Sequence, residues 1–257
     1  TGATPKAILQ PTEIKPNEYT NHSGGAEGSD IQWDKIGKEF GFVNNKHYWT
    51  ETKTPHGNIE ITKEDFEEGR YESAKAAKRN FGYQYATMKD SRLIRNWSQV
   101  KHSDAVFAIG KIVRTGEKLF PNQTNDTRVA INPSVTGGTG YAVGMAINHN
   151  KPTYVFNQTK GSYEIGWYKW NNNSDDFVKV GTPTLTKNFA GIGTREINDL
   201  GKQAIKDVYQ KILNPPTEIK PKIDSSKKIE DLVSNYLLNE LKKYNVKVEY
   251  NDSQLAT

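Results

Sequence analysis

Three short glycine-bearing segments, each read as following a strand and preceding a helix, constrain this chain more than any other feature. They are Ser23-Gly24-Gly25, Gly137-Gly138-Thr139-Gly140, and Gly191 and Gly193 followed by Thr194 and Arg195. A strand that ends in a glycine turn and re-enters as a helix is the repeating unit of an α/β sheet. At such a turn the first amides of the helix lack intrahelical partners, and the helix dipole favours an anion. A phosphate can approach those amides closely because glycine puts no side chain in the way. Ser23 and Thr139 add hydroxyl donors, and Arg195 adds a guanidinium suited to a phosphate. A tight turn needs glycine even when nothing binds, so any one of these turns is equally well a structural device. Three of them, converging on one edge of a parallel sheet, point to a site.

The pattern between the turns supports that reading. Ile31, Ile36 and Phe40, with Trp33, make a helical stripe over 31–40 that Ser29 or Asp30 could cap, and Val43–Thr50 reads as a strand. Thr62, three residues before Asp65, resembles a capping box that opens a helix through Phe66, Tyr71, Ala74 and Ala77. Gly82 interrupts it, and a second helix covers 91–100. The short apolar run that follows Asp104 within 104–110 suits a strand buried on both faces. Residues 114–134 read as a polar surface excursion, 137–147 enter a helix, and 152–156 form a strand. The stretch 163–180 reads as a β-hairpin turning at Asn171 to Asn173, 189–193 as a strand end, and Thr194 or Asn198 as the cap of a helix reaching Leu213.

These elements predict a Rossmann-like, three-layer α/β domain over 20–213, with a mostly parallel sheet and a β-hairpin insertion. An extended, proline-bearing leader covers 1–19. Residues 214–257 read as a linker and an appendage, or the start of another domain, with an amphipathic helix over 227–244 and a strand over 246–250. The segment 8–16 nearly recurs as 212–221. A first residue of Thr1 leads us to expect a piece of a longer polypeptide.

Composition narrows the chemistry. The chain has no cysteine, which removes disulfides and thiolate catalysis. No run approaches the roughly 20 apolar residues of a membrane span, so no membrane partner is expected. The formal charge is +5, but the lysines of the last third are scattered among acids; a nucleic-acid partner is not expected, and a small phosphorylated molecule suits the mild excess. Gly140 is not followed by the Lys-Ser/Thr of an NTP-binding loop. The histidines are scattered, so no metal site is expected, and no cofactor is called for.

Ser23-Gly24-Gly25-Ala26-Glu27-Gly28-Ser29-Asp30, Ile94-Arg95-Asn96, 103–109, Gly137-Gly138-Thr139-Gly140 and 191–196 together resemble the SLOG superfamily, which groups the DNA-processing protein DprA with the LOG nucleotide phosphoribohydrolases. The nearer likeness is to phage and mobile-element proteins of that group, in which the Gly-Ile-Gly-Ser-Arg-Glu segment comes first. Here its counterpart, 191–196, comes last, which resembles a circular permutation; the repeat at 8–16 and 212–221 fits that order and also fits a repeated linker.

The resemblance implies binding of a nucleotide-derived ligand such as an ADP-ribose-type or cyclic nucleotide. Ser23, Gly24, Gly25, Gly28, Gly137, Gly138, Thr139, Gly140, Gly193, Thr194 and Arg195 would surround phosphate, Asp30 would hold a ribose hydroxyl, and Arg95 and Asn96 would form a second polar edge. An alternative is nucleotide N-glycosidase activity. The helix 141–147 has no carboxylate where LOG hydrolases place glutamates, which leaves Glu196 as the candidate catalytic residue, with Glu27 nearby. A third reading is a structural or virion-cargo domain with a vestigial pocket. The resemblance also implies a homodimer, partners among phage proteins or other domains of the polypeptide, and a location in the infected bacterial cytoplasm or in a virion.

Overall fold

The computed structural model describes residues 14–49, 57–83 and 87–214. The readings for 1–13 and for the helix and strand after residue 214 lie outside the described residues. Of the leader, Pro16–Glu18 forms a single 3-10 turn rather than extended chain. In chain order there follow β1 (Thr20–Ser23), α1 (Ser29–Glu39), β2 (Val43–Tyr48), β3 (Ile59–Glu60), α2 (Lys63–Phe81), α3 (Ser91–Lys101), β4 (Ala105–Gly110), β5 (Ile112–Val113) and β6 (Ser134–Val135). The last third holds α4 (Thr139–Asn148), β7 (Thr153–Asn157), β8 (Gly166–Asn171), β9 (Asp176–Val180), β10 (Asn188–Gly193) and α5 (Asp199–Leu213).

The main sheet has eight strands in the order β3-β2-β1-β10-β4-β7-β8-β9. Neighbours from β3 to β7 are parallel, and β8 and β9 extend the sheet antiparallel. Both faces are covered. Ala105, Phe107 and Ile109 of β4 pack with Trp33 and Ile36 of α1 and with Ile205, Val208 and Tyr209 of α5. The alternate residues Val106 and Ala108 pack with Ala77 of α2, Trp97 and Val100 of α3, and Val143 and Ala146 of α4. A strand buried on both faces explains why β4 is apolar without alternation. Each large side chain buried there contributes about 1.5–3 kcal/mol. The result is a Rossmann-like three-layer domain. Among the described residues no helix is long and apolar enough to cross a membrane.

Counted from β10 instead of from the amino end, the five central parallel strands stand in the order third, second, first, fourth, fifth: β2-β1-β10-β4-β7. In such a sheet the crevice for ligands opens where the order reverses, here between the carboxyl ends of β10 and β4. The helices after these two strands diverge accordingly, α5 to one face and α4 to the other.

Local chemistry sets the boundaries. Thr62 Oγ1 accepts the Asp65 amide at 3.1 Å to start α2, and Gly82 ends it with a left-handed φ of 77°. Two cap assignments differ from expectation. Neither Ser29 nor Asp30 caps α1; the cap position is Gly28, and Asp30 lies in the first turn with its carboxylate folded back onto the glycine loop. Asn198 rather than Thr194 caps α5, accepting the Gly201 amide at 2.9 Å. The excursion 114–134 is less superficial than its polarity suggests. β5 and β6 pair antiparallel beneath it, Lys118 bridges Val129, and Leu119 and Ala130 are buried.

Candidate functional site

A cleft of about 470 Å³ opens at the carboxyl edge of the sheet, beside the point where the strand order reverses. The turns before α4 and after β10 line it directly, and the segment after the first turn contributes Ala26, Glu27 and Asp30. Its walls are Ala26, Glu27 and Asp30 after β1, Thr136–Thr139 before α4 and Ile192–Glu196 after β10; one face of α3 and the excursion residues Phe120, Gln123 and Arg128 complete it. Asp30, Arg95, Asn96, Gly137, Gly138, Thr139, Gly193, Thr194, Arg195 and Glu196 therefore line one cavity.

Ser23, Gly24, Gly25, Gly28 and Gly140 do not line it, and each has a structural occupation. Ser23 is fully buried; its Oγ donates to Asp34 at 3.0 Å and accepts the Gly25 amide. The Gly24 and Ala26 amides donate to Asp30 Oδ2, at 3.2 and 3.4 Å. An internal carboxylate thus takes the place an anionic ligand would take at this turn. Gly28, at φ 98°, allows the backbone of Thr194 and Arg195 to pass; a Cβ there would lie 2.5 Å from the Arg195 Cα. Gly140 is needed because a Cβ would meet the Val135 carbonyl at 2.2 Å.

The turn before α4 is open in a way the first turn is not. Gly137 donates its amide to the Leu119 carbonyl at 2.8 Å, but the amides of Gly138 and Thr139 donate to no other described residue. They are the unpaired first amides of a helix whose start faces the cleft. Asn96 of α3 reaches the same turn, donating to the Gly138 carbonyl at 3.4 Å.

Arg95 is the most informative group. Its side chain is pinned in the cleft wall at 8% exposure, its Nε has no acceptor, and it makes no hydrogen bond or ion pair with any described residue. Burial holds the guanidinium below its ordinary pKa, opposed by the nearby charge of Asp30. Burial likewise pushes Asp30 up to about 6, with Arg95 and the two loop amides pulling the other way. A buried cation without a partner is costly in a folded protein. Here it is placed where an anion could supply the missing acceptors. The other arginines of the wall are occupied: Arg92 pairs with Asp90 at 2.8 Å, and Arg128 pairs with Asp126 and stacks over Phe120. Arg195 is exposed, 4.0 Å from Glu27, and Glu196 accepts from Thr194 Oγ1 at 2.9 Å.

Sequence reasoning missed Arg92, Leu93, Phe120, Gln123 and Arg128 as lining residues, along with Gln99, whose buried side-chain amide crowds Gly24 beside Arg95 and has no partner among the described residues. The signal for α3 was present: Arg92, Arg95, Asn96 and Gln99 recur at helical spacing and form a polar stripe on a helix that otherwise packs into the core. Nothing local marks Phe120 or Arg128, which reach the cleft only because the excursion folds back onto the Gly137 turn. Comparison with protein-family models, with curated proteins and with solved structures found no match for this chain.

Proposed function

We propose that the cleft binds a phosphate-bearing, nucleotide-type ligand, which the protein senses or sequesters. Arg95 carries the reading: a buried guanidinium with no acceptor among the described residues stands in the same cavity as the amides of Gly138 and Thr139, which are unpaired among those residues. Charge-assisted hydrogen bonds from such a group to a phosphate are among the strongest a protein makes. Leu93, Phe120, Tyr141 and Ile192 give the cleft apolar surface for the rest of the ligand. Calorimetry against ADP-ribose, cyclic ADP-ribose isomers, AMP and NAD is expected to find micromolar or tighter binding of at least one. No heat across the panel, with folded protein, contradicts the reading.

We also propose a circularly permuted SLOG-like domain from a larger phage or mobile-element protein. The strand order counted from β10 supports the permutation, as does the packing of Ile14 and Leu213, near the two ends of the domain, on one apolar cluster. The hydrolase alternative draws support from two lining carboxylates, Glu196 and Asp30, the second able to hold a proton near neutral pH. It requires release of a free base from a nucleotide, seen by chromatography, and loss of that release in Glu196→Gln or Asp30→Asn.

A further inference from the structure

We propose that Asp30 sets the charge this cleft accepts, so that a phosphodiester, with one negative charge on each phosphate, is bound in preference to a terminal phosphomonoester with two. The proposal rests on the anion-binding reading above and names the ligand class within it.

The geometry is a charge count. Among the described residues that line the cleft, Arg95 is the buried cation left without a partner, while Arg92 is held by Asp90, Arg128 is held by Asp126, and Arg195 stands at the exposed rim near Glu27. One negative charge on a phosphate meets that guanidinium. A second charge finds no further buried cation and faces Asp30 instead. The two groups are close: Arg95 Nη2 and Asp30 Oδ2 lie 2.8 and 2.9 Å from the point that a Cβ on Gly24 would occupy. An anion seated against Arg95 therefore sits within a few ångströms of the carboxylate, at a range where like charges repel strongly in a partly buried site. Rejecting a competitor by an unpaired, repelling charge is a common source of specificity.

The surroundings of Asp30 keep it in place. Its Oδ2 is anchored by the Gly24 and Ala26 amides, so it cannot swing away to make room. One turn further along α1, Asp34 is held by Asn21, Ser23 and Lys46. Facing Asp30 across the cleft are Arg95 and the Arg92–Asp90 pair from α3, and Arg195 and Glu196 from the turn after β10; Glu27 lies on its own loop. Among the described residues no histidine lines the cleft. With its carboxyl raised to about 6, Asp30 is charged in mildly alkaline solution and loses its charge in mild acid.

Calorimetry at about pH 8, where Asp30 is ionised, compares AMP with the methyl ester of its phosphate. The native protein is expected to bind the ester about tenfold more tightly, a modest selectivity for one repelling charge. Asp30→Asn keeps an oxygen for the Gly24 and Ala26 amides and should bring the ratio close to one by tightening AMP. Equal affinities in the native protein, an unchanged ratio in the variant, or a variant that weakens both ligands as loss of a ribose contact would, each overturns the proposal. A second measurement needs no variant. Sulfate stays doubly charged, so its affinity for the native protein should rise as pH falls from about 8 to about 5, with the change centred near the Asp30 pKa. A flat profile overturns the charge filter while leaving the anion site intact. Native protein that binds neither sulfate nor either nucleotide contradicts the anion site itself, and the proposal with it.

Discussion

Arg95 and Asp30 converge on Gly24 without a hydrogen bond to each other: the guanidinium Nη2 and the carboxylate Oδ2 lie 2.8 and 2.9 Å from the position a Gly24 Cβ would take, and the two groups interact through their charges alone. The glycine is there for that convergence. Gly24 has ordinary backbone geometry, and what forbids a side chain is the crowding of three buried side-chain ends, Arg95, Asp30 and Gln99.

Two glycine replacements should therefore differ in kind. Gly24→Ala displaces side-chain termini only and is expected to lower stability by about 1–2 kcal/mol while pushing Arg95 out of register and weakening ligand binding. Gly28→Ala meets the Arg195 Cα at 2.5 Å and the Thr194 carbonyl at 2.6 Å, at a φ of 98°. Backbone must move there, and a loss of about 3 kcal/mol or more is expected. Urea unfolding of both variants checks the order, and equal losses contradict the account of the two turns.

Acid should destabilise the fold through two buried histidines. His22 Nδ1 lies 2.9 Å from His47 Nε2, and His47 Nδ1 lies 2.8 Å from Ser98 Oγ. Burial, aided for His22 by the charge of His102 and for His47 by those of His22 and His102, holds their pKa values down to about 4 and about 3. In the unfolded chain they titrate near 6.5, so the unfolded state takes up protons first as pH falls. Their contribution is present above about pH 6.5 and is lost as pH drops toward their folded values. Asp30 and Asp34, both shifted upward by burial, act in the opposite direction and offset part of this loss. Stability at about pH 5 is expected to be about 2 kcal/mol below that at about pH 7.5, and a His22→Gln, His47→Gln double variant should flatten the dependence. Equal urea midpoints at the two pH values contradict this.

The start of α5 hangs on a reciprocal contact with the end of β7. The Asn198 side chain caps the helix and donates to the Gln158 carbonyl at 3.0 Å, while Gln158 Oε1 accepts the Asn198 amide at 3.0 Å and its Nε2 donates to the Glu196 carbonyl at 2.8 Å. Asn198→Ala is expected to cost about 1–2 kcal/mol, with Asn198→Asp retaining most of the cap. Because this network holds 194–198 in the cleft wall, the alanine variant should also weaken ligand binding. Unchanged thermal unfolding in Asn198→Ala contradicts the cap.

Much of this fold was legible in the sequence because its signals are local. The apolar run of β4, the Thr62 cap, the Gly82 stop and the hairpin of β8 and β9 each depend on a few adjacent residues. The spatial order of the strands is not local: β10 inserts between β1 and β4, a placement that pairing partners far apart in the chain decide. The site divides in the same way. Glycine turns are visible as glycine, but a glycine kept for close backbone passage, like Gly28 or Gly140, looks the same in sequence as one kept for a ligand. Only the coordinates separate the occupied amides of Gly24 and Ala26 from the unpaired ones of Gly138 and Thr139. Arg95 is noticeable in sequence as part of a motif; that it is buried without a partner follows from how α3 packs over Gly24.

In the proposed function the buried Arg95 guanidinium meets an anion. Isothermal calorimetry of a nucleotide phosphodiester against the native protein and Arg95→Gln tests it most directly. The native protein should bind, and the variant should lose about a hundredfold or more in affinity, as expected when a buried charged hydrogen-bond donor to a phosphate is removed. Its thermal stability in the absence of ligand should stay equal or rise, because an unpaired buried charge has gone. Native-like affinity in a folded Arg95→Gln variant would contradict the account.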